Sequence, residues 1–300
     1  MAQNKHWLQL QAEYVAARTL LQTLRILPLP AAYGAAYTVT GILDRTLPKL
    51  RRVAHLNLRF AFPDWSSEQR DSVIDGVFRS IGRLLTGLAR FPSLNAQNIH
   101  DWISYEGLEN YHSAKAEGRG ILVATAHLGN WELSAFAHAV MTEPMHVMVR
   151  PLDNPLVDNL VEHRRTLSGN HLIYKKEAAR AVIKALRANE AVGILIDQNT
   201  TPAEGVFVDF FGKKACATSA FVKFAYHSGA PVLPGFALWD ETRHSYVLHF
   251  LPKVELTGDV QSDTQRIHSV LESVIRQHPD QWMWIHRRWK TRPPGEPSLY

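Results

Sequence analysis

Apolar residues recur at helical spacing from residue 6 to residue 90. The clearest run is Val73, Ile74, Val77, Ile81, Leu84, Leu85 and Leu88, which lays one apolar stripe along a helix. Ser66 and Gln69 stand ahead of it in a capping-box pattern, and Phe91-Pro92 breaks it. From residue 100 onward the texture changes. Gly120-Ile121-Leu122-Val123-Ala124-Thr125 is a short apolar run of the kind a buried strand needs. Further strands are predicted at His146–Val149, Ala191–Ile196, Val206–Phe210, Val232–Leu238 and Ser245–Leu251. Helices are predicted at Glu132–Val140, Pro155–Leu167, Glu177–Ala188, Thr218–His227 and Thr264–Gln277. Such alternation implies an α/β fold with a mixed, partly parallel sheet flanked by helices. The chain divides softly into a helical N-terminal region, 1–95, and an α/β core, 96–300. No Gly/Ser-rich linker separates them, so one domain is equally allowed.

Composition narrows the classes. The 300 residues are 46% hydrophobic, enough for a large core and too many for wholesale disorder. Lys and Arg total 33 against 28 Asp and Glu, a formal charge of +5. That mild excess suits an acidic partner or an anionic membrane surface. By itself it does not indicate nucleic acid, and no nucleic-acid partner is expected. The single cysteine, Cys216, excludes a disulfide framework and a Cys-rich zinc site. It reads as inert filler, and no metal site is expected. The zincin, phosphate-loop, dinucleotide-binding and nucleophile-elbow motifs are all missing from the sequence.

The N-terminus does not read as a signal peptide, because Glu13, Arg18 and Arg25 interrupt its apolar positions. The longest uncharged stretch, Ile26 to Leu43, reaches the lower length limit of a spanning helix. Pro28, Pro30, Gly34 and Gly41 within it argue against spanning. Between Arg45 and Arg59 stand five cations and no anion. Wound as one helix, Arg45, Lys49, Arg52 and Arg59 share a face opposite Leu47, Leu50, Ala54 and Leu58. A basic amphipathic helix lies well on an anionic membrane. An ordinary surface helix with its apolar side in the core gives the same pattern.

The chemistry concentrates after the first central strand, in Ala124-Thr125-Ala126-His127-Leu128-Gly129-Asn130-Trp131-Glu132. A His at the C-terminal end of a buried strand lies where α/β sheets place their ligand sites. Neutral imidazole can take a proton from an alcohol. A carboxylate on its other nitrogen fixes the tautomer and stabilises the imidazolium. With no activated Ser or Cys in sight, the substrate's own hydroxyl can serve as nucleophile. The spacing alone is weak in a chain with 15 His.

The context around the spacing is more specific. His127-Leu128-Gly129-Asn130-Trp131-Glu132 resembles the box of the lysophospholipid and glycerolipid acyltransferases, a His, four residues and an acidic residue. Five further stretches, in order, resemble the lipid A biosynthesis late acyltransferases, with Asn57-Leu58-Arg59-Phe60-Ala61-Phe62-Pro63 at the N-terminal side. Val149-Arg150-Pro151-Leu152-Asp153-Asn154 follows the His box. Next come Asp197-Gln198-Asn199, Gly205 to Gly212 and Ala217-Thr218, then Pro231-Val232-Leu233-Pro234. Pro279 to Lys290 closes the series with three tryptophans, Trp282, Trp284 and Trp289.

The resemblance implies a glycerolipid-acyltransferase-like core. It also implies transfer of a fatty acyl group from acyl carrier protein, or acyl-CoA, to a hydroxyl of a Kdo-bearing lipid A precursor. No cofactor is implied. His127 would be the general base, with Glu132 or Asp197 orienting it. The related phosphatidylinositol mannoside acyltransferases use a third-block carboxylate for that task, so both remain open here. Arg150 would bind a phosphate or an oxyanion, and Gly129 and Asn130 would offer backbone N–H groups to the oxyanion. Arg287 and Arg288, with Lys290 and Arg292, would meet anionic substrates. The tryptophans, like Phe207, Phe210 and Phe211, would line an acyl tunnel, sit at the membrane interface or pack in the core. The implied location is the cytoplasmic face of the inner membrane, peripheral or monotopic, although the apolar N-terminal anchor of many relatives is weak here. Two other readings stand beside this one: acyl transfer to a phosphatidylinositol mannoside, and non-catalytic binding of acidic lipid.

Overall fold

The computed structural model describes residues 7–174 and 178–300. Residue 6 of the predicted N-terminal helical region and Glu177 of the predicted 177–188 helix lie outside them. The N-terminal region is helical as expected: α1 (Trp7–Ile26), α2 (Leu29–Thr46), α3 (Pro48–Ala61) and α4 (Ser67–Arg90). Ser66 caps α4 through the Gln69 N–H, and the Gln69 side chain returns the bond, as the capping box requires.

One detail of this region differs from expectation. Residues 45–59 are not one helix, because Pro48 cannot donate the backbone bond that would continue α2 through Leu47. Arg45 therefore ends α2, while Lys49, Arg52 and Arg59 ride on α3. Arg51 faces inward onto Asp44 and Asp71, both at 2.7 Å, and also pairs with Asp75. The buried face of α3 carries Val53, Ala54, Leu58 and Ala61.

Beyond α4 lie β1 (Ile103–Glu106), α5 (Leu108–Ala116), β2 (Ile121–Thr125), α6 (Trp131–Met141), β3 (His146–Val149), α7 (Pro155–Thr166) and β4 (His171–Tyr174). The chain continues through α8 (Ala178–Arg187), β5 (Ala191–Leu195), β6 (Gly205–Phe210), β7 (Lys213–Thr218), α9 (Ala220–Ser228), β8 (Val232–Asp240), β9 (Ser245–Phe250) and α10 (Val260–Gln277). Seven strands form one sheet in the order β1-β9-β8-β2-β5-β3-β4. Every pair in it is parallel except β8 with β9. A mixed, mostly parallel sheet flanked by helices is thus the architecture. β6 and β7 form a separate antiparallel hairpin.

Two consequences of this topology position the site. β2 lies at the centre, between β8 and β5, and its apolar run is buried because helices cover both faces of a parallel sheet. The register pairs Thr125 of β2 with Leu195 of β5. Two residues further along each chain, His127 and Asp197 come out side by side.

The C-terminal segment locks this edge. Gln281 O accepts from Gly129 N–H at 2.9 Å, and Met283 N–H donates to His127 O at 3.1 Å. The Gln281 side chain bonds both N–H and C=O of Trp239 on β8. Asn57 of α3 then ties down the same segment, donating to Trp284 O at 2.7 Å and His286 O at 2.8 Å. The N-terminal and C-terminal blocks read from the sequence therefore meet and brace the loop after β2. Trp282, Trp284 and Trp289 are fully buried in one core cluster with Phe210, Phe211, Leu58 and Ile74. Of the three roles expected for these tryptophans, core packing is the one the fold uses.

Candidate active site

His127 leaves the end of β2 with its imidazole largely buried. Its Nδ1 lies 2.8 Å from Asp197 Oδ1, and its backbone N–H donates to Asp197 Oδ2 at 3.0 Å. The Trp282 indole N–H donates to the same Oδ2 at 2.8 Å. Asp197 is 2% exposed, and a carboxylate so buried persists only when paired and hydrogen-bonded. Burial alone would push its pKa up. The charge and hydrogen bond of His127, with the Trp282 donor, outweigh burial and hold it well below the usual carboxylate range. Burial pushes the His127 pKa down, while the Asp197 charge and hydrogen bond push it up, and the net shift is upward. The Nδ1 proton therefore faces Asp197, and Nε2 keeps its lone pair for an incoming proton.

Gly129 makes the turn that follows. It holds φ +62°, and a Cβ there would stand 2.0 Å from Ala237 O, so no larger residue fits. The Asn130 side chain then caps α6 through the Leu133 N–H at 3.0 Å.

Glu132, one turn along, does not reach His127. Its carboxylate forms a two-pronged pair with Arg165 of α7, Nε to Oε2 at 2.9 Å and Nη2 to Oε1 at 2.5 Å. Burial weakens the guanidinium's charged form, and Glu132 more than restores it. His127, Glu132 and Arg165 line a cavity of about 800 Å³, and Asp197 reaches it through its bond to His127. It reaches from exposed Arg150 and Leu152 down to buried Phe136, Met145 and Phe250. Its volume and apolar lining suit a long, flexible, greasy ligand.

A buried imidazole–carboxylate pair beside an apolar cavity is the equipment for deprotonating a hydroxyl next to a fatty chain. The model of the bacterial lipid A biosynthesis acyltransferase family matches residues 3–291. The chain belongs to that family. It is 32% identical to the lipid A biosynthesis lauroyltransferase of Escherichia coli K12, over 91% of this chain and 90% of that one. It is 30% identical to the palmitoleoyltransferase of the same strain, with the same coverage. The myristoyltransferase of that strain is 24% identical, over 91% and 89%. Among solved structures, the 1-acyl-sn-glycerophosphate acyltransferase PlsC of Thermotoga maritima aligns at TM-score 0.36 and 16% identity, over 81% of this chain and 94% of that one. That superposition is too loose to bear on the fold. The protein is thus an acyltransferase of lipid A biosynthesis.

Four of the sequence-derived site residues meet a different environment in this acyltransferase. Gly129 and Asn130 have no backbone N–H to offer an oxyanion: the first donates to Gln281 O and the second to Ala237 O, both at 2.9 Å. Arg288 cannot meet a substrate. It is 0% exposed, donates to Cys216 O at 2.6 Å and stacks over Phe210, with burial lowering its pKa to about 10. Arg287 lies over the Tyr300 ring and is not among the residues lining the cavity. Arg150 does stand at the cavity mouth, its side chain 86% exposed and 3.8 Å from Asp153. Arg165 and Gln198 line the same wall and were not picked out from the sequence. Arg165 sits on a predicted helix but carries no motif. Gln198 lies inside the Asp197-Gln198-Asn199 block, which was the available signal.

Proposed function

We propose that this acyltransferase moves a fatty acyl chain from an acyl carrier protein thioester to a hydroxyl of a Kdo-bearing lipid A precursor, with His127 as general base. The observation that carries the reading is the Asp197–His127 pair on the wall of the apolar cavity. The acyl chain of the donor lies in the cavity, with its thioester carbon near His127. The acceptor hydroxyl gives its proton to Nε2, and Asp197 stabilises the imidazolium that forms. The alkoxide attacks the thioester, and the expelled thiolate takes the proton back from His127. The products are an ester and a free carrier thiol, with no covalent enzyme intermediate and no cofactor. Arg150 at the mouth offers charge to a lipid phosphate or to the acidic carrier.

A membrane approach is supported by the exposed side chains of the N-terminal helices. Trp7, Leu8, Val15, Ile26, Ile42, Leu43 and Leu47 are exposed on or beside α1 and α2. Arg45, Lys49, Arg52 and Arg59 are exposed nearby in the chain. Among the described residues, no helix is long and apolar enough to cross a membrane. Docking on the anionic cytoplasmic face of the inner membrane, with the apolar side chains entering the headgroup boundary, accommodates both features.

A reconstituted transfer assay read by mass spectrometry tests the reading. Tetra-acylated lipid A precursor, with and without Kdo, is offered with acyl carrier protein thioesters or acyl-CoA of mixed chain length. The expected product is the Kdo-bearing acceptor plus one acyl chain, formed from the carrier protein donor. Transfer from acyl-CoA alone, or only to the acceptor without Kdo, contradicts the assignment of donor or acceptor.

A further inference from the structure

The thioester oxygen gains negative charge during attack, and one good donor at such a site is worth about 10²–10³ in kcat. The two backbone amides beside His127 are already engaged, as described above. A different donor stands at the reacting nitrogen. The Gln198 side-chain amide lies 3.3 Å from His127 Nε2. Because the Nδ1 proton faces Asp197, Nε2 is an acceptor, so the amide meets it with an N–H.

Two features suit this amide to a moving role. The contact is long for a hydrogen bond, and Gln198 is exposed on the cavity wall, so an incoming hydroxyl displaces it at little cost. Its backbone, in contrast, is anchored. Gln198 O accepts from the buried Arg288 Nη1 at 3.4 Å, and the preceding residue, Asp197, is held by three donors. The neighbouring Asn199 amide is not equivalent, since its Nδ2 donates to Thr291 Oγ1 at 2.9 Å.

We propose that Gln198 is the oxyanion donor of the transfer. In the resting enzyme its amide covers His127 Nε2. When the acceptor hydroxyl takes that place, the amide turns its N–H to the thioester oxygen. The hydroxyl proton passes to Nε2 and the new C–O bond forms. The carbonyl π pair moves onto the oxygen facing Gln198. Collapse restores that pair, breaks the C–S bond and returns the proton from His127 to the thiolate. This inference rests on the acyl-transfer reading with His127 as base. It also gives buried Arg288 a task as a positioning residue, fixing the turn that carries Gln198.

The test compares full-length wild type, Gln198→Met, Gln198→Glu and His127→Ala in the transfer assay, with melting temperatures for each. Gln198→Met keeps the bulk and loses the donor. It is expected to lower kcat about 10²–10³-fold, with KM and melting temperature little changed. Gln198→Glu sets a negative charge against the oxyanion and is expected to lose more. Its charge also stabilises the imidazolium, so the acid limb of its pH–rate profile moves to higher pH. A Gln198→Met enzyme with wild-type or higher kcat overturns the proposal, reducing Gln198 to a cap. A loss confined to KM, or one that tracks a fall in melting temperature, overturns it as well. A folded His127→Ala variant that remains active refutes the underlying base assignment instead, which keeps the two failures distinct.

Discussion

Asp197→Asn is expected to lower kcat by about 10⁴-fold, the scale found when the orienting carboxylate of such a pair becomes an amide. The geometry says why the loss comes without collapse of the site. Oδ2 accepts from the His127 and Trp282 N–H groups, and the Asn carbonyl oxygen can take over both. The amide nitrogen then replaces Oδ1 and points an N–H at His127 Nδ1. Nδ1 must accept, the proton moves to Nε2, and the base nitrogen is no longer free. The pH dependence follows with a definite sign. Activity needs neutral imidazole, so in wild type it falls as pH drops through the raised His127 pKa. Removing the carboxylate charge lowers that pKa, so the acid limb of the residual activity moves to lower pH. A pH series of kcat for both proteins reads the two effects together.

Arg165→Met is expected to cost about 3–5 kcal/mol of stability, the penalty for stranding one half of a buried ion pair. Glu132 and Arg165 keep only 10% and 20% of their side-chain surface in contact with solvent, so water cannot replace the lost partner well. Replacing both residues by Met is expected to recover most of the loss, because an apolar pair leaves no uncompensated charge. Urea denaturation of the two single variants and the double variant measures the coupling directly. Activity should not recover with stability in the double variant if Arg165 also serves the substrate through its place on the cavity wall. The pair explains the acidic end of the motif: Glu132 holds Arg165, while His127 takes its carboxylate from the turn just after β5.

That division of labour shows where sequence reading stops. The apolar runs of β2 and β5 were legible because central strands in a parallel sheet are buried on both faces. The helices α6, α7 and α10 were legible as stretches alternating with the strands, and α4 from its periodicity and its capping box. The strands at the two sheet edges were not: β1 and β4 are short and each places an exposed polar residue at one end, so neither stands out as an apolar run. β7 begins Lys213-Lys214 and reads as polar until its pairing with β6 is known. α5 has no marked apolar face.

Within the site, both carboxylates were candidates from the sequence, at five and 70 positions from His127. Only the strand register, Thr125 against Leu195, brings Asp197 onto Nδ1 and leaves Glu132 for α7. The cationic C-terminal motif misled for a physical reason. Arg288 is surrounded by carbonyl oxygens and an aromatic ring in the core, and a charge count along the chain carries no information about burial. Likewise, the Gly129 and Asn130 N–H groups were legible as candidate donors, but not that Gln281 O and Ala237 O would already occupy them.

The central claim is that His127 is the base that activates the acceptor hydroxyl. The most direct test is single-turnover acyl transfer by His127→Ala, followed by mass spectrometry and paired with its melting temperature and circular dichroism spectrum. The account predicts a folded protein that leaves the acceptor unacylated while wild type converts it. A folded His127→Ala protein that acylates the acceptor at a rate near wild type would contradict it.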